Sequence, residues 1–476
     1  MTTVVRTRRE FTHLAEFERL IGGDRMRRLR EAAAEIRDRV GDGTLWHVNS
    51  TTSGGGVAEM LHTLLPLYHS LGVRAGWLAI GGDDRFFALT KRLGTALYGT
   101  ADGGGPLGTA QRDGYLRALA GQAREIASIA GPKDILLLHD HQTAGLARLL
   151  DRKVAATYWR CHVGVDESTP AAAAAWEFLT PLLDSTRGLV FSVPRHVPRH
   201  LRRRRVAILP PFISPFSLKN CALDRPTMTA CLARCGLAAT VPPATTTRVR
   251  TPSGPVALRH PVRVITSGAP RPGEPLLTQV SRWDRLKDMH GVLNSFGSGA
   301  GDGYLALVGP DPSAIPDDVE QNAWFDKCRS AWNALPSGRR RRVALICLPM
   351  ADLHENAVLV NAIQRAADVV VQKSLAEGFG LTVTEAMWKS RIVVASAVGG
   401  IREQITHGQD GLLVDDPHDE AAFGALLAAA AGHASRGSPL GARAHRRVLR
   451  DYLPDREIVT TARLLGDDRE DEGMER

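Results

Sequence analysis

A chain of 476 residues is too long for one ordinary core and predicts two domains of roughly 150–250 residues each. Its 43% hydrophobic content, with 46 glycines and 27 prolines, suits a soluble α/β protein with many tight turns. The +9 net charge calls for anionic ligands, yet the arginine runs at 202–205 and 339–342 come without a helix-turn-helix, zinc-finger or RNA-binding signature, which argues for solvated surface and against nucleic acid.

Residues 1–43 are charged, with Phe11, Leu14, Phe17, Leu20 and Ile21 at helical spacing, and predict an N-terminal helical extension docked on the first domain. Residues 44–49 read as a strand, followed by a turn ending in Gly54, Gly55 and Gly56 and a helix over 57–71. The turn lacks the GxGxxG fingerprint, but three glycines let backbone N–H groups approach a ligand with no Cβ in the way. A second strand is expected at 75–80 and a glycine loop at 99–108. The apolar run 134–138 ends in His139, Asp140, His141 and Gln142. Ligands of parallel sheets bind beyond the carboxyl ends of strands, so His139, Asp140 and Gln142 are placed for the hydroxyls of an acceptor. A metal at His139 and His141 would need a third ligand that the sequence does not offer. The segment 155–162 is another strand end carrying a histidine, His162. Strands at 188–192 and 206–209, with Pro210-Pro211 as exit, complete a Rossmann-like domain over 44–220.

Residues 221–273 are rich in Thr, Pro, Arg and Ala and read as an insertion or linker. A second Rossmann-like domain over 274–450 opens with a buried strand from Leu276, which delivers Arg282 and Lys287 just past its end. A planar fork and a point charge five residues apart suit a diphosphate. Strands follow at 304–308 and 343–348, then a helix over 358–367. The strand 369–371 leads into the turn Glu377-Gly378-Phe379-Gly380 and a helix from Leu381 and Thr382. Strand, glycine turn and helix N-terminus together favour negative charge. Two carboxylates flank that positive end: Glu377 on the turn, and Glu385, about 200° around the helix from Val383. Carboxylates accept hydrogen bonds from hydroxyls while the helix end takes phosphate, and phosphate plus polyol describes a nucleotide sugar. The strand–turn–helix unit recurs over 392–406, 411–414 closes the sheet, and 451–476 reads as a short helix with an acidic tail.

The spacing from Glu377 to Glu385 resembles the Glu-x7-Glu motif of retaining glycosyltransferases of glycosyltransferase family 4, the group that includes sucrose and glycogen synthases. The resemblance implies the GT-B fold class: α/β, with two Rossmann-like domains whose parallel sheets face a central cleft. His47-Val-Asn-Ser-Thr51, Trp159-Arg-Cys-His162 and Gln279-Val-Ser-Arg282 narrow the likeness to trehalose glycosyltransferring synthases, over about 44–220 and 274–420. By that resemblance Arg282 and Lys287 hold the donor diphosphate over the Gly54–Gly56 turn. Glu377 and His162 meet the donor sugar, and Glu385 meets the ribose. Gly378, Phe379, Gly380, Leu381 and Thr382 complete the donor site. The implied reaction moves a hexosyl group from a nucleoside-diphosphate sugar to a sugar hydroxyl, with glucose as acceptor giving trehalose.

Departures at Val163-Gly-Val165 and Phe212-Ile-Ser214 leave open an amino-sugar, cyclitol or natural-product acceptor, and a trehalose phosphorylase of the same fold. No metal or other cofactor is expected, since cations replace it. The six cysteines show no CxxC pair or zinc frame. No secretory apolar segment follows Met1, so the cytoplasm is the expected location, without membrane insertion. The expected partners are a nucleotide sugar and a small acceptor, with the oligomeric state, a homodimer included, left open.

Overall fold

The computed structural model describes residues 1–53, 55–101, 104–238, 247–298, 303–314, 319–432, 434 and 439–466. They form two compact units: Met1–Phe212 joined by the segment from Tyr452 onward, and Ile213–Asp451.

In unit 1 the strands are β1 (Thr3–Val4), β2 (Leu45–Asn49), β3 (Ala75–Ala79), β4 (Ile135–His139), β5 (Ala156–Cys161), β6 (Gly188–Phe191) and β7 (Val206–Ile208). They make one sheet in the order β1-β3-β2-β4-β5-β6-β7, parallel except for β1 at the edge. The helices are α1 (Leu14–Ile21), α2 (Gly23–Val40), α3 (Gly56–Ser70), α4 (Asp84–Leu97), α5 (Thr109–Ile129), α6 (Asp140–Leu149) and α7 (Pro170–Leu179). Residues 1–43, expected as an extension, are part of this unit: Thr3 pairs with Ala79, and α2 buries Met26, Leu29, Ala33 and Ile36 at helical spacing. β4 is buried along its whole length, as a strand covered on both faces must be.

Unit 2 repeats the plan. Its strands are β8 (Thr247–Val249), β9 (Val256–Leu258), β10 (Arg263–Ile265), β11 (Leu276–Val280), β12 (Tyr304–Pro310), β13 (Val343–Leu348), β14 (Val369–Gln372), β15 (Ile392–Ser396) and β16 (Leu412–Val414). The order β10-β13-β12-β11-β14-β15-β16 is parallel except for β10, and β8 and β9 form a separate hairpin. Period-2 alternation splits the core between the two faces. Leu305, Leu307, Val343 and Leu345 fall in one cluster, and Tyr304, Ala306, Val308, Ala344 and Ile346 in the other. The helices are α8 (Arg225–Arg234), α9 (Met289–Ser298), α10 (Val319–Ala334), α11 (Ser337–Arg340), α12 (Leu353–Ala366), α13 (Leu381–Trp388), α14 (Ile401–Gln404), α15 (Glu420–Gly432) and α16 (Pro439–Asp451).

The described part of 221–273, expected as an insertion or linker, is built into this unit. β10 extends the sheet, and Cys231, Cys235, Val249 and Leu258 share a core cluster with Val358, Leu359 and Ile363 of α12. Sparse periodicity in the sequence reflects short elements, not absent ones. Residues 213–220, assigned from the sequence to the first domain, belong here too: Asn361 Nδ2 donates to Leu218 O at 2.8 Å and Arg365 Nη2 to Asn220 O at 2.7 Å. The chain then returns to unit 1 with α17 (Pro454–Gly466), which packs on α2 and is tied to it by Arg25–Asp455, Nη2 to Oδ2 at 2.6 Å. Among the described residues no helix is long and apolar enough to cross a membrane.

Candidate functional site

Parallel sheets offer a ligand site where strand order reverses, because the loops on the two sides diverge there. In unit 2 that point lies between β11, from which the chain moves outward to β12 and β13, and β14, where it restarts on the other side. β11 leads to Arg282 and Lys287, and β14 leads to Glu377. Lys287 Nζ forms an ion pair with Glu377 Oε2, joining two of the sequence-predicted residues across the reversal. Their side chains are 18% and 10% exposed, so the pair is shielded while remaining reachable.

Local bonds fix both partners. Asp284 caps the turn at 285–287 by accepting from Lys287 N at 2.9 Å, and Gln279 Nε2 donates to Lys287 O at 2.6 Å. Ser374 Oγ lies 3.2 Å from Glu377 Oε2. Arg282, by contrast, is 71% exposed and pairs with Asp284 at 2.9 Å. An exposed guanidinium on a short carboxylate tether is free to re-aim at an anion.

The turn from Glu377 to Gly380 is held from behind by a second glycine turn, Gly399-Gly400. Gly400 N donates to Gly378 O at 3.1 Å, and a Cβ on Gly399 (φ +49°) would stand 1.7 Å from Glu377 O. Only glycine allows that approach. Gly380, at φ +87°, takes the left-handed conformation that opens α13. Gln404 Nε2 donates to Phe379 O at 2.5 Å, while Gln404 Oε1 accepts from Thr384 Oγ1 at 2.7 Å. The carbonyls behind the turn are thereby occupied, and the N–H groups of Leu381 and Thr382, both half-buried, begin the helix.

The far side of α13 is not solvent: Val383, Thr384, Glu385, Ala386 and Met387 are all buried, and Glu385 is 7% exposed. A buried ammonium accompanies it. Lys389 Nζ donates to Gln364 Oε1 at 2.8 Å, Asn220 Oδ1 at 3.0 Å and the Glu385 carbonyl at 3.2 Å. Burial lowers the Lys389 pKa to about 7, against the raising influence of the Glu385 charge. Lys373 is buried as well, bonded to Asp288 and to Pro417 O at 2.8 Å. Neither lysine carries a role readable from the sequence, although Lys389 stands four residues after Glu385, the spacing of a helical ion pair.

In unit 1 the order reverses between β2 and β4. β2 feeds the glycine turn. Asn49 accepts from Trp77 Nε1 at 2.7 Å and donates to Thr51 O at 2.7 Å, which starts the turn. Gly54 lies outside the described residues. Gly55, at φ +90°, precedes α3, and Gly56 begins it. Beyond β4, Asp140 adopts φ +62°, unusual for a residue with a Cβ. Trp159 Nε1 donates to its carbonyl at 2.9 Å, and its Oδ1 accepts from His162 N at 2.8 Å. Burial raises its pKa to about 6, opposed by that backbone hydrogen bond and by Arg160. Gln142 is half-buried on α6.

His139 is buried, at 2% exposure. Its ring lies between two other imidazoles, 3.1 Å from His47 and 3.0 Å from His162. Burial holds His47 down to about 3, and burial holds His139 and His162 well below the usual imidazole range, with Arg160 adding to all three. Arg160 itself is fully buried, donating to Glu457 of α17 at 2.5 Å and to Leu209 O at 3.2 Å. A partner 297 residues away leaves no local signal in the sequence. Among the described residues no group of three or more His, Cys, Asp or Glu side chains is arranged to hold a metal ion.

A family model described as "Trehalose synthase, N-terminal domain" matches residues 47–198, and one described as "Glycosyl transferases group 1" matches 354–431. The trehalose synthase of Rubrobacter xylanophilus is 32% identical over 460 residues, covering 96% of this chain and 95% of that protein. That of Pyrococcus horikoshii is 31% identical over 448 residues, 92% of each. Among solved structures, the α,α-trehalose 6-phosphate synthase of Burkholderia multivorans aligns with a TM-score of 0.62 at 15% identity, covering 91% of this chain and 98% of that one, a likeness of fold. With a relative 32% identical along nearly the whole of both chains, and with two sheets of GT-B type, the protein belongs to the trehalose synthase family of glycosyltransferases.

Proposed function

We propose that this enzyme transfers a glucosyl group from a nucleoside-diphosphate glucose to free glucose, giving trehalose with the anomeric configuration retained. The observation that carries the reading is the Lys287–Glu377 pair at the strand-order reversal of unit 2, beside the N-terminus of α13. The names of the relatives suggest the product.

In the reaction the C1–O bond to the diphosphate breaks and a C1–O bond to the acceptor hydroxyl forms on the same face. The acceptor proton passes to the departing phosphate oxygen. Negative charge grows on that phosphate, where Lys287, Arg282 and the α13 N–H groups stabilise it. These cations take the place of a metal. Glu377 receives donor-sugar hydroxyls and keeps Lys287 aimed, Glu385 receives the ribose, His162 meets the donor sugar and Asp140 the acceptor. Nucleotide-sugar chemistry fits a cytoplasmic site of action.

The test offers UDP-, ADP- and GDP-glucose with glucose, an amino sugar or a cyclitol, with and without EDTA, and identifies products by mass and anomeric NMR coupling. An α,α-linked disaccharide formed in EDTA supports the reading. Transfer only to another acceptor, or cleavage of trehalose by phosphate with no nucleotide dependence, would replace it.

A further inference from the structure

Three imidazoles in unit 1 are hydrogen-bonded in series. His47 lies on β2, His139 ends β4, and His162 follows β5, three neighbouring strands. His47 is in register with Leu137, two residues before His139, and His139 is in register with Arg160, two before His162. Positions two apart share a sheet face, so the rings climb that face one step per strand. His47 Nδ1 is 3.1 Å from His139 Nε2, and His139 Nδ1 is 3.0 Å from His162 Nε2. Successive ring planes are 22° and 14° apart.

A contact between two ring nitrogens is a hydrogen bond only if one carries the proton and the other the lone pair. A neutral imidazole has one N–H, so the middle ring cannot donate both ways, and the column has two consistent senses. If every proton sits on Nε2, His47 presents a buried N–H with no acceptor, since its Nε2 has no partner among the described residues. If every proton sits on Nδ1, only an unfilled lone pair is left there. Buried N–H groups without an acceptor are rarer than buried acceptors without a donor. The second sense therefore wins. It places a proton on His162 Nδ1, the ring nitrogen that has no protein partner among the described residues.

We propose that His47 and His139 are positioning residues that lock His162 as its Nδ1–H tautomer, so that His162 meets its ligand only as a hydrogen-bond donor, to a sugar oxygen. Its Nε2 lone pair is engaged by His139, which removes it as a general base. The ligand assignment rests on the reading of His162 as a donor-sugar contact, whereas the tautomer does not.

Long-range ¹H–¹⁵N NMR of the full chain labelled at histidine, with His162 assigned by loss of its signals in His162→Ala, reads the tautomer directly. The expected result at neutral pH is a protonated Nδ1 and a bare Nε2. In His139→Leu the His162 ring should sample both tautomers, with kcat down about tenfold and KM for the nucleotide sugar little changed. His139→Asn, whose amide stands near the lost Nδ1, should restore both. His47→Leu and His47→Asn repeat the comparison one ring further away. A protonated Nε2 on His162 in the unaltered protein overturns the proposal, as does a tautomer indifferent to all four substitutions. Full activity in His162→Ala would instead remove the donor-sugar reading and leave the tautomer result to stand or fall alone.

Discussion

Replacing Arg160 by Met tests how unit 1 is held together. Arg160 and Glu457 are each 1% exposed, with Nη1 2.5 Å from Oε1, and Arg160 also donates to Leu209 O. Removing the guanidinium strands a buried carboxylate, which is expected to cost about 3–5 kcal/mol. Losing the Leu209 bond adds roughly 1 kcal/mol. Against a typical stability of about 5–15 kcal/mol, that is a large fraction.

Hydrogen-exchange mass spectrometry on β5 and α17 in a urea series reports the opening of this unit separately from the other. Burial already pushes the Glu457 pKa up, opposed by Arg160. Without Arg160 it rises further, so the folded state binds the proton more tightly than the unfolded state. The penalty should then be full above the new folded pKa and shrink as pH falls through it. Adding Glu457→Leu removes the stranded charge, and the double variant should return to within about 1 kcal/mol of the original protein. A double variant as unstable as the sum of the two single ones would refute this account of the pair.

Lys287→Ala should lower turnover by about 10²–10³-fold with the fold retained; near-normal turnover measured by nucleotide release would remove the diphosphate assignment. Asp140→Asn keeps the acceptor for His162 N–H and suits a left-handed φ. The raised Asp140 pKa of about 6 means the original protein loses stability as pH rises from the unfolded value toward 6. The Asn variant should therefore be the more stable by about 2–3 kcal/mol at pH 8, with the gap closing below pH 4, as followed by thermal melts. Gly399→Ala forces a Cβ into Glu377 O and should displace the Glu377 turn. Weakened nucleoside-diphosphate binding in calorimetry is expected, and unchanged affinity would mean the second glycine turn does not brace the first.

Strand positions and the Glu377–Gly380 turn were legible because alternation, glycine and helix periodicity are local signals. So was the placement of Arg282, Lys287 and Glu377 near strand ends. The pairing of Lys287 with Glu377 was not, because it depends on which strand neighbours β11, and strand order is set by packing across the sheet. The same holds for the histidine column. His47 and His139 fall 92 residues apart, and only the register of β2, β4 and β5 brings them into contact. The burial of Glu385 was not legible, because a helix-wheel angle identifies the face opposite Val383 but not what lies against it. The stretch 221–273 reads as an insertion or linker because three-residue strands such as β8, β9 and β10 are too short to show a period.

The return of α17 to unit 1 sets an order on synthesis. Unit 2 is one uninterrupted segment and is able to fold as it leaves the ribosome, but unit 1 waits for its final helix. At about 5–20 residues per second, the roughly 240 residues of the intervening unit take on the order of 10–50 s to make. For that interval α2 lacks its cover and Arg160 lacks Glu457, so the nascent first unit keeps apolar surface and a buried cation uncovered, and a ribosome stalled short of Pro454 would leave it permanently open.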